Sequence, residues 1–322
     1  MDTWIEIFKK EYLRDFIKNG GSSVKFIITE DESESEVLRK KLINLSNKEN
    51  YCFISLDSAS TKLHEIQSLF NEIAKQIEWE NYVYVFLKKL FAKNKYKFPS
   101  NKEQFTLSMI AELNGHDSSQ LLNDIKGLLT KELFKDFKMS QEFRIAMMKL
   151  CINQLYHDES ESSTNYILQW LKGELKLITT LKGAMIFQKI NRFNARHMFL
   201  SLSHWLKSND KNGIVMVLDI SRYFVSSKFK NQNDGLYYTP NNIIDLYELL
   251  RQFIDDTDEL ENCMIIVISS NKDFEHDEKR GLTKYDALRM RIINDVKDEK
   301  YSNPLASLIR ISDFNKSEVT NE

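Results

Sequence analysis

The residues best placed to do chemistry lie in the segment Val24–Leu38, VKFIITEDESESEVL. Val24, Phe26, Ile27 and Ile28 read as a buried strand, and Val37, Leu38 and Leu42 as one face of a helix. Strand, short turn and helix form the frame on which a P-loop holds a nucleoside triphosphate. That motif, G-x-x-x-x-G-K-[ST], uses glycine to bring backbone N–H groups onto the phosphates. Its lysine reaches the β- and γ-phosphates, and its hydroxyl holds Mg²⁺. The turn here has neither Gly nor Lys and carries Glu30, Asp31, Glu32, Glu34 and Glu36. Carboxylates suit the positive end of a helix dipole but repel a triphosphate. The segment predicts the body of a nucleotide-binding domain without the activity. A divalent cation is a second use for such a turn, and a solvated acidic loop is the plain alternative.

In open α/β sheets ligands bind beyond the carboxyl ends of the strands, so what ends each strand matters. The run Ile214–Leu218 ends in Asp219, in the manner of a Walker B aspartate that supports a Mg²⁺ shell. Ile220 follows, where a water-orienting acid would be needed. The run Met264–Ser269 leads into Ser270 and Asn271, the place and chemistry of a sensor near a γ-phosphate. Arg280, Arg289 and Arg291 come next, and Arg289 and Arg291 are candidate cationic contributors. Each feature has an ordinary reading as well: Asp, Ser and Asn are turn residues, and helix arginines pair with nearby acids.

These positions need strands and helices in alternation. Helices are expected over residues 1–19, from Ser35 to about Leu45, and from Thr61 to about Ala92. The region from 103 to 156 reads as helical, with a break at Gly115-His116-Asp117. Further helices are expected over Tyr166–Leu175, about Ile186–Lys207, Ile243–Ile254 and Lys284–Val296, and strands at Tyr51–Asp57 and Leu305–Ile311. Strands spaced by helices imply a parallel sheet covered on both faces. The division expected is an α/β core in two parts, 1–92 and 161–322, with a helical insertion over 93–160. The polar run His157–Asn165 is a candidate hinge.

Composition is that of a globular chain: 322 residues, 42% hydrophobic, 29% charged and a formal charge of −2. That balance excludes a general polyanion binder, although a local patch remains open. One such patch is Lys88, Lys89, Lys93, Lys95, Tyr96 and Lys97, lysines interleaved with rings as in a nucleic-acid contact. A solvated helix end with inward-packed rings has the same composition. The three cysteines lack C-x-x-C spacing and sit in apolar runs, which predicts reduced core residues of a cytoplasmic protein. The six histidines are scattered, and no metal site is expected. No run is long and apolar enough to span a membrane.

Four stretches carry a family resemblance. They are the first strand and helix with CFISLDSASTKLHEIQSLFNEI; Leu168-Gln169-Trp170-Leu171-Lys172-Gly173-Glu174, close to an R-W-L-x-G-E motif; GIVMVLDI; and IDLYELLRQFIDD followed by MIIVISS and KRGLTKYDALRMRI. In these the chain resembles the BREX-system ATP-binding-domain proteins, AAA-like P-loop ATPases of bacterial phage-defence loci. The likeness leaves out the middle helical third. It implies an α/β fold with a parallel, P-loop NTPase-like (AAA-like) sheet flanked by helices. In an ungapped reading Ser35 and Glu36 stand at the P-loop Lys and Ser, and Ile220 at the Walker B Glu. The resemblance also implies a helical lid after the last core strand, whereas the chain ends at ISDFNKSEVTNE, so no lid domain is expected.

The expectation is a non-catalytic, degenerate ATPase-fold subunit with no catalytic residue and no cofactor. It would assemble with partner proteins of an anti-phage defence system, a helicase or nuclease among them. Two alternatives stand beside it. One is a residual ATP-binding switch or weak ATPase that takes ATP and Mg²⁺. The other is a DNA-contacting accessory module.

Overall fold

Strand β1 (Ser22–Ile28) is buried at almost every position because it is covered on both faces. The computed structural model describes residues 1–156, 161–225, 235–270, 273–293 and 303–314. Before β1 the chain forms α1 (Asp2–Ile7), then a π-helical stretch Phe8–Phe16 and a last tight turn. Gly20, at φ 108°, ends this element, as the Asn-Gly-Gly signal predicts. After β1 come α2 (Glu32–Lys48), β2 (Cys52–Asp57) and α3 (Ile66–Lys75). The helices α4 (Trp79–Lys93), α5 (Leu107–Asn114), α6 (Ser118–Leu129), α7 (Gln141–Tyr156), α8 (Glu161–Leu171) and α9 (Ala195–Ser208) follow. The chain then returns to β3 (Ile214–Asp219), α10 (Pro240–Asp255), β4 (Cys263–Ser269), α11 (Asp273–His276), α12 (Asp286–Ile292) and β5 (Leu308–Arg310).

All pairings in the sheet are parallel, in the order β2-β3-β4-β1-β5. This is the expected α/β sheet flanked by helices, consistent with a P-loop NTPase-like fold. One strand, β4, separates the end of β1 from the end of β3, so the turn, the Asp219 position and the Ser270 position share one edge. One face packs Ile27, Val215, Val217, Met264, Ile266 and Ile268 against Trp4, Phe8, Leu13, Leu38 and Leu42 of the N-terminal segment and α2. On the alternate face Phe26 stacks on Phe274, which also meets Phe224 and Tyr247. At the β5 edge Lys25 is buried, donates to the Ala306 carbonyl at 2.8 Å and lies over the Tyr12 ring. Burial lowers its pKa to about 8.

By contacts the chain divides into two units, 1–73 with 210–322, and 74–209. The helical unit therefore takes in α4, α8 and α9 as well as the expected 93–160. Its core includes Trp79 against Phe143, Phe86 against Trp205, and Phe91 and Phe98 against Phe105.

Several boundaries differ from expectation for local reasons. The span expected as one helix from 61 to 92 is two helices, α3 and α4, with the Trp79 indole donating to the Ala74 carbonyl across the break. The helix expected from Ile186 starts only at Ala195, because Asn191 and Asn194 form side-chain turns: Asn191 N–H donates to Asn194 Oδ1, and Phe193 N–H to Asn191 Oδ1. The R-W-L-x-G-E-like motif is a helix stop. Gly173 (φ 72°) and Glu174 donate back to Trp170 and Gln169, and the buried Trp170 indole donates to the Gln188 carbonyl. Of the hinge candidate His157–Asn165, residues 157–160 lie outside the described residues, as do residues 226–234 and 294–302, while 161–165 open α8.

Two glycines make a paired test. A Cβ on Gly213, at φ 140°, would lie 2.0 Å from the Asn262 carbonyl oxygen, backbone that cannot move aside. Gly213→Ala is expected to cost about 3 kcal/mol or more in urea unfolding. Gly127, inside α6 with nothing within 4 Å, is the reverse case. Gly127→Ala is expected to add about 0.5–1 kcal/mol.

Candidate nucleotide site at the carboxyl edge

The turn after β1 is only Thr29-Glu30-Asp31, since α2 begins at Glu32. The acidic turn expected from the sequence is thus mostly helix: Glu32, Glu34 and Glu36 belong to α2, because Asp31 caps it. The Asp31 carboxylate accepts from Glu34 N–H at 2.8 Å and from Ser33 Oγ at 2.7 Å. Those two hydrogen bonds hold its pKa below the usual carboxylate range. Glu34 reaches back and accepts from Glu30 N–H at 2.8 Å. Side-chain carboxylates thus occupy backbone donors that a phosphate would need. Ser35 is buried, and its hydroxyl pairs with Thr29 Oγ1 at 2.6 Å. Glu36 is exposed, with Lys40 4.0 Å away.

Asp219 has a cation already. Arg39 Nη2 donates to its Oδ2 at 2.7 Å, while Oδ1 accepts from Ser221 N–H at 2.9 Å. Both side chains are largely buried, at 24% and 12% exposure. Arg39 comes from α2, one turn after Ser35, so the helix that starts at the phosphate turn also delivers the guanidinium. The sequence reading missed it. The signal was the period: Ser35, Leu38, Arg39 and Leu42 share one helix face, which puts an arginine at the sheet-facing border. Arg39 Nε is buried with no hydrogen-bond partner among the described residues, so the pair is not fully satisfied.

The remaining strand ends are tied to one another. Ser270 N–H and Oγ both meet Ser221 Oγ, at 2.9 and 3.0 Å. Ile220 is fully buried and donates its N–H to Ile268. Thr29 N–H donates to the Ser269 carbonyl. Asn271 lies outside the described residues.

The structure does not bring the candidate arginines to this edge. Arg291 Nη2 donates to Asp255 at 3.0 Å, and Asp255 ends α10, the helix leading back to the amino end of β4. Arg289 is 3.5 Å from Asp286 on the exposed face of α12. Arg280 is buried and donates to the carbonyls of Tyr223 and Tyr238 at 2.7 and 3.1 Å. It fastens loops and is not a free cation. Tyr285 bonds Glu248, which Arg251 grips with Nε and Nη2 at 2.9 and 2.6 Å; that grip lowers the Glu248 pKa to about 2. The Arg- and Tyr-containing stretch of the resemblance is therefore a set of fasteners here.

Beside these loops His64 sits edge-on to both Tyr223 and Tyr238, whose rings stack on each other at 3.8 Å. Asn242 Nδ2 donates to His64 Nε2 at 3.2 Å, so the proton is on Nδ1, 2.8 Å from the Tyr223 hydroxyl. Burial lowers the His64 pKa.

The lysine patch lies in the helical unit. Lys93 pairs with Glu132 at 2.6 Å, Lys89 donates to the Ser208 carbonyl at 2.7 Å, and Lys88 lies over Tyr84. The Lys97 backbone is held by Asn114, and Tyr96 packs on Phe91 and His116. Lys95 is exposed in a left-handed turn, φ 62°. The rings of this segment face inward.

One family model, that of the BREX system ATP-binding protein BrxC/D, matches residues 8–321. The chain belongs to this BREX ATP-binding family. The match runs through the middle third as well, where the sequence resemblance is silent. Membership makes the protein a component of a phage-defence system. No curated protein and no solved structure matches the chain. Among the described residues no cluster of three or more His, Cys, Asp or Glu could hold a metal, and no helix is long and apolar enough to cross a membrane. All three cysteines are buried, and none forms a disulfide.

The Arg39–Asp219 pair predicts non-additive mutants. Arg39→Ala and Asp219→Ala are each expected to cost about 2–4 kcal/mol, because each strands a largely buried charge. The double variant should cost much less than their sum, by about 2 kcal/mol or more in a denaturation cycle. His64 predicts the acid limb. The folded chain prefers the neutral ring, so the unfolded chain takes up its proton at higher pH, near 6.5. Stability should fall as pH drops below about 6.5. The urea midpoint between pH 7.5 and 5.5 should shift less in His64→Gln.

Proposed function

We propose that this BREX-family chain is a non-catalytic subunit, an ATPase body that holds partner proteins of the defence system and does not turn over nucleotide. The observation that carries the reading is the Arg39–Asp219 ion pair. A Mg²⁺ shell at Asp219 would have to displace a guanidinium supplied by the same chain. Three further features point the same way. The turn of three residues is too short to wrap a phosphate chain. Its nearby N–H donors are taken by Asp31 and Glu34 carboxylates. Ile220 has no group that can orient an attacking water, and removing one electrostatic stabiliser alone typically costs about 10²–10³ in rate. ATP and Mg²⁺ are accordingly not cofactors in this reading. The partners are other subunits, a helicase or nuclease among them, met in the cytoplasm.

Calorimetry of purified protein with ATP, with and without Mg²⁺, tests the proposal. The expected result is no saturable binding at millimolar nucleotide and no phosphate release. Micromolar binding or hydrolysis that Asp219→Ala abolishes would sink the reading and favour a residual nucleotide switch.

A further inference from the structure

Between Glu174 and Asp210 the chain has no Asp or Glu but six Lys and Arg, in a protein of net charge −2. From Leu175 to Asn194 this stretch is irregular apart from a 3₁₀ helix at Ile178–Ala184, and it lies in the helical unit. Leu175, Leu181, Ala184, Ile186 and Ile190 point inward and anchor it. Between them Phe187 and Phe193 stand out at 67% and 76% exposure. Exposed Lys182, Lys189 and Arg192 alternate with these rings, and the Arg192 guanidinium lies 4.6 Å from the Phe193 centroid.

A second loop joins this face. Phe137, 81% exposed, stands between exposed Lys135 and Lys138 in the turn leading into α7. Gln188 donates to Glu142 on the first turn of α7 at 2.6 Å, so the two loops are tied together. Ser140 N–H donates to Ser201 of α9 at 2.8 Å, which ties the second loop to the helix that follows Phe193. Two acids beside the second loop have side-chain partners: Asp136 meets His204 at 2.7 Å, and Glu142 accepts from Gln188.

Isolated rings standing proud of the surface, each flanked by cations, match a single strand of nucleic acid. Its bases offer a π-face to each ring, and its phosphates fall between them. A duplex buries its bases and has no use for the rings. We propose that the face formed by Phe137, Phe187, Phe193, Lys182, Lys189 and Arg192 binds single-stranded nucleic acid without sequence preference. This goes beyond the subunit role and is independent of it, because it lies in the other unit of the chain. Ring and cation do not read a 2′-hydroxyl, so oligodeoxythymidine is a sufficient probe.

The test is fluorescence anisotropy of the full chain with a labelled dT oligonucleotide of about 30 nucleotides and the matched duplex, at several salt concentrations. The expected result is binding of the single strand in preference to the duplex. Phe187→Ala/Phe193→Ala should weaken it about tenfold or more with an unchanged melting temperature. Lys182→Glu/Arg192→Glu should flatten the salt dependence. Four results would overturn the proposal: no binding at about 100 µM protein, equal binding of duplex, binding that the phenylalanine variant leaves intact, or loss instead in a Lys88→Glu/Lys95→Glu control. Vesicles of phosphatidylglycerol and phosphatidylcholine serve as a competitor. Binding to them with none to the oligonucleotide would assign the face to a lipid surface and likewise overturn it.

Discussion

The pairing of β1 with β4, in register from Ser22↔Cys263 to Ile28↔Ser269, is the constraint on which the α/β unit rests. It ties the start of the chain to a strand some 240 residues later, and it can form only once the helical unit has been spanned. With β1 on one side of β4 and β3 on the other, three strand ends meet at one edge. Each end then finds a partner from another: Thr29 N–H on Ser269, Ile220 N–H on Ile268, and Ser270 on Ser221. A parallel sheet covered on both faces leaves its polar ends as the only place for such bonds.

The same geometry explains how the polar groups at this edge come to be met by the chain's own side chains. A P-loop works because glycine leaves backbone N–H groups unobstructed and a flexible lysine answers the charge of the phosphates. Here Asp31 caps the helix and Glu34 returns to the turn, so the positive end of α2 meets its own anions. The negative charge left at Asp219 is met by Arg39, one residue past the first turns of the same helix. One helix therefore supplies both charges at this edge, an anion at its cap and a cation two turns on. A guanidinium suits this place because its fork can bridge to a carboxylate while its stem packs against the sheet.

The helical unit is built on different terms. Its motif tryptophan and glycine serve packing and helix termination, and in its lysine patch Lys93, Lys89 and Lys88 meet Glu132, the Ser208 carbonyl and the Tyr84 ring. Three of its exposed rings come from turns and irregular chain outside the α-helices: Phe193 sits in an asparagine turn, Phe137 follows Asp136, whose carboxylate accepts from Lys138 N–H, and Phe187 lies between Ala184 and Asn191. A helix would have turned part of that apolar sequence inward.

Sequence by itself determined the strands, their order in the chain, the alternation that makes the sheet parallel, and the absence of Gly and Lys from the turn after β1 and of an acid after Asp219. These are local facts: period, apolar runs and residue type declare themselves within a dozen residues. It also placed Asp219 and Ser270 at strand ends. Only tertiary structure decided that Arg39 meets Asp219, 180 residues away, that Arg291 serves the opposite edge, and that the Lys88–Lys97 rings turn inward while Phe187 and Phe193 turn out. A charged side chain takes its meaning from what lies opposite, and that is set by strand order and helix direction, which residue types in sequence do not carry.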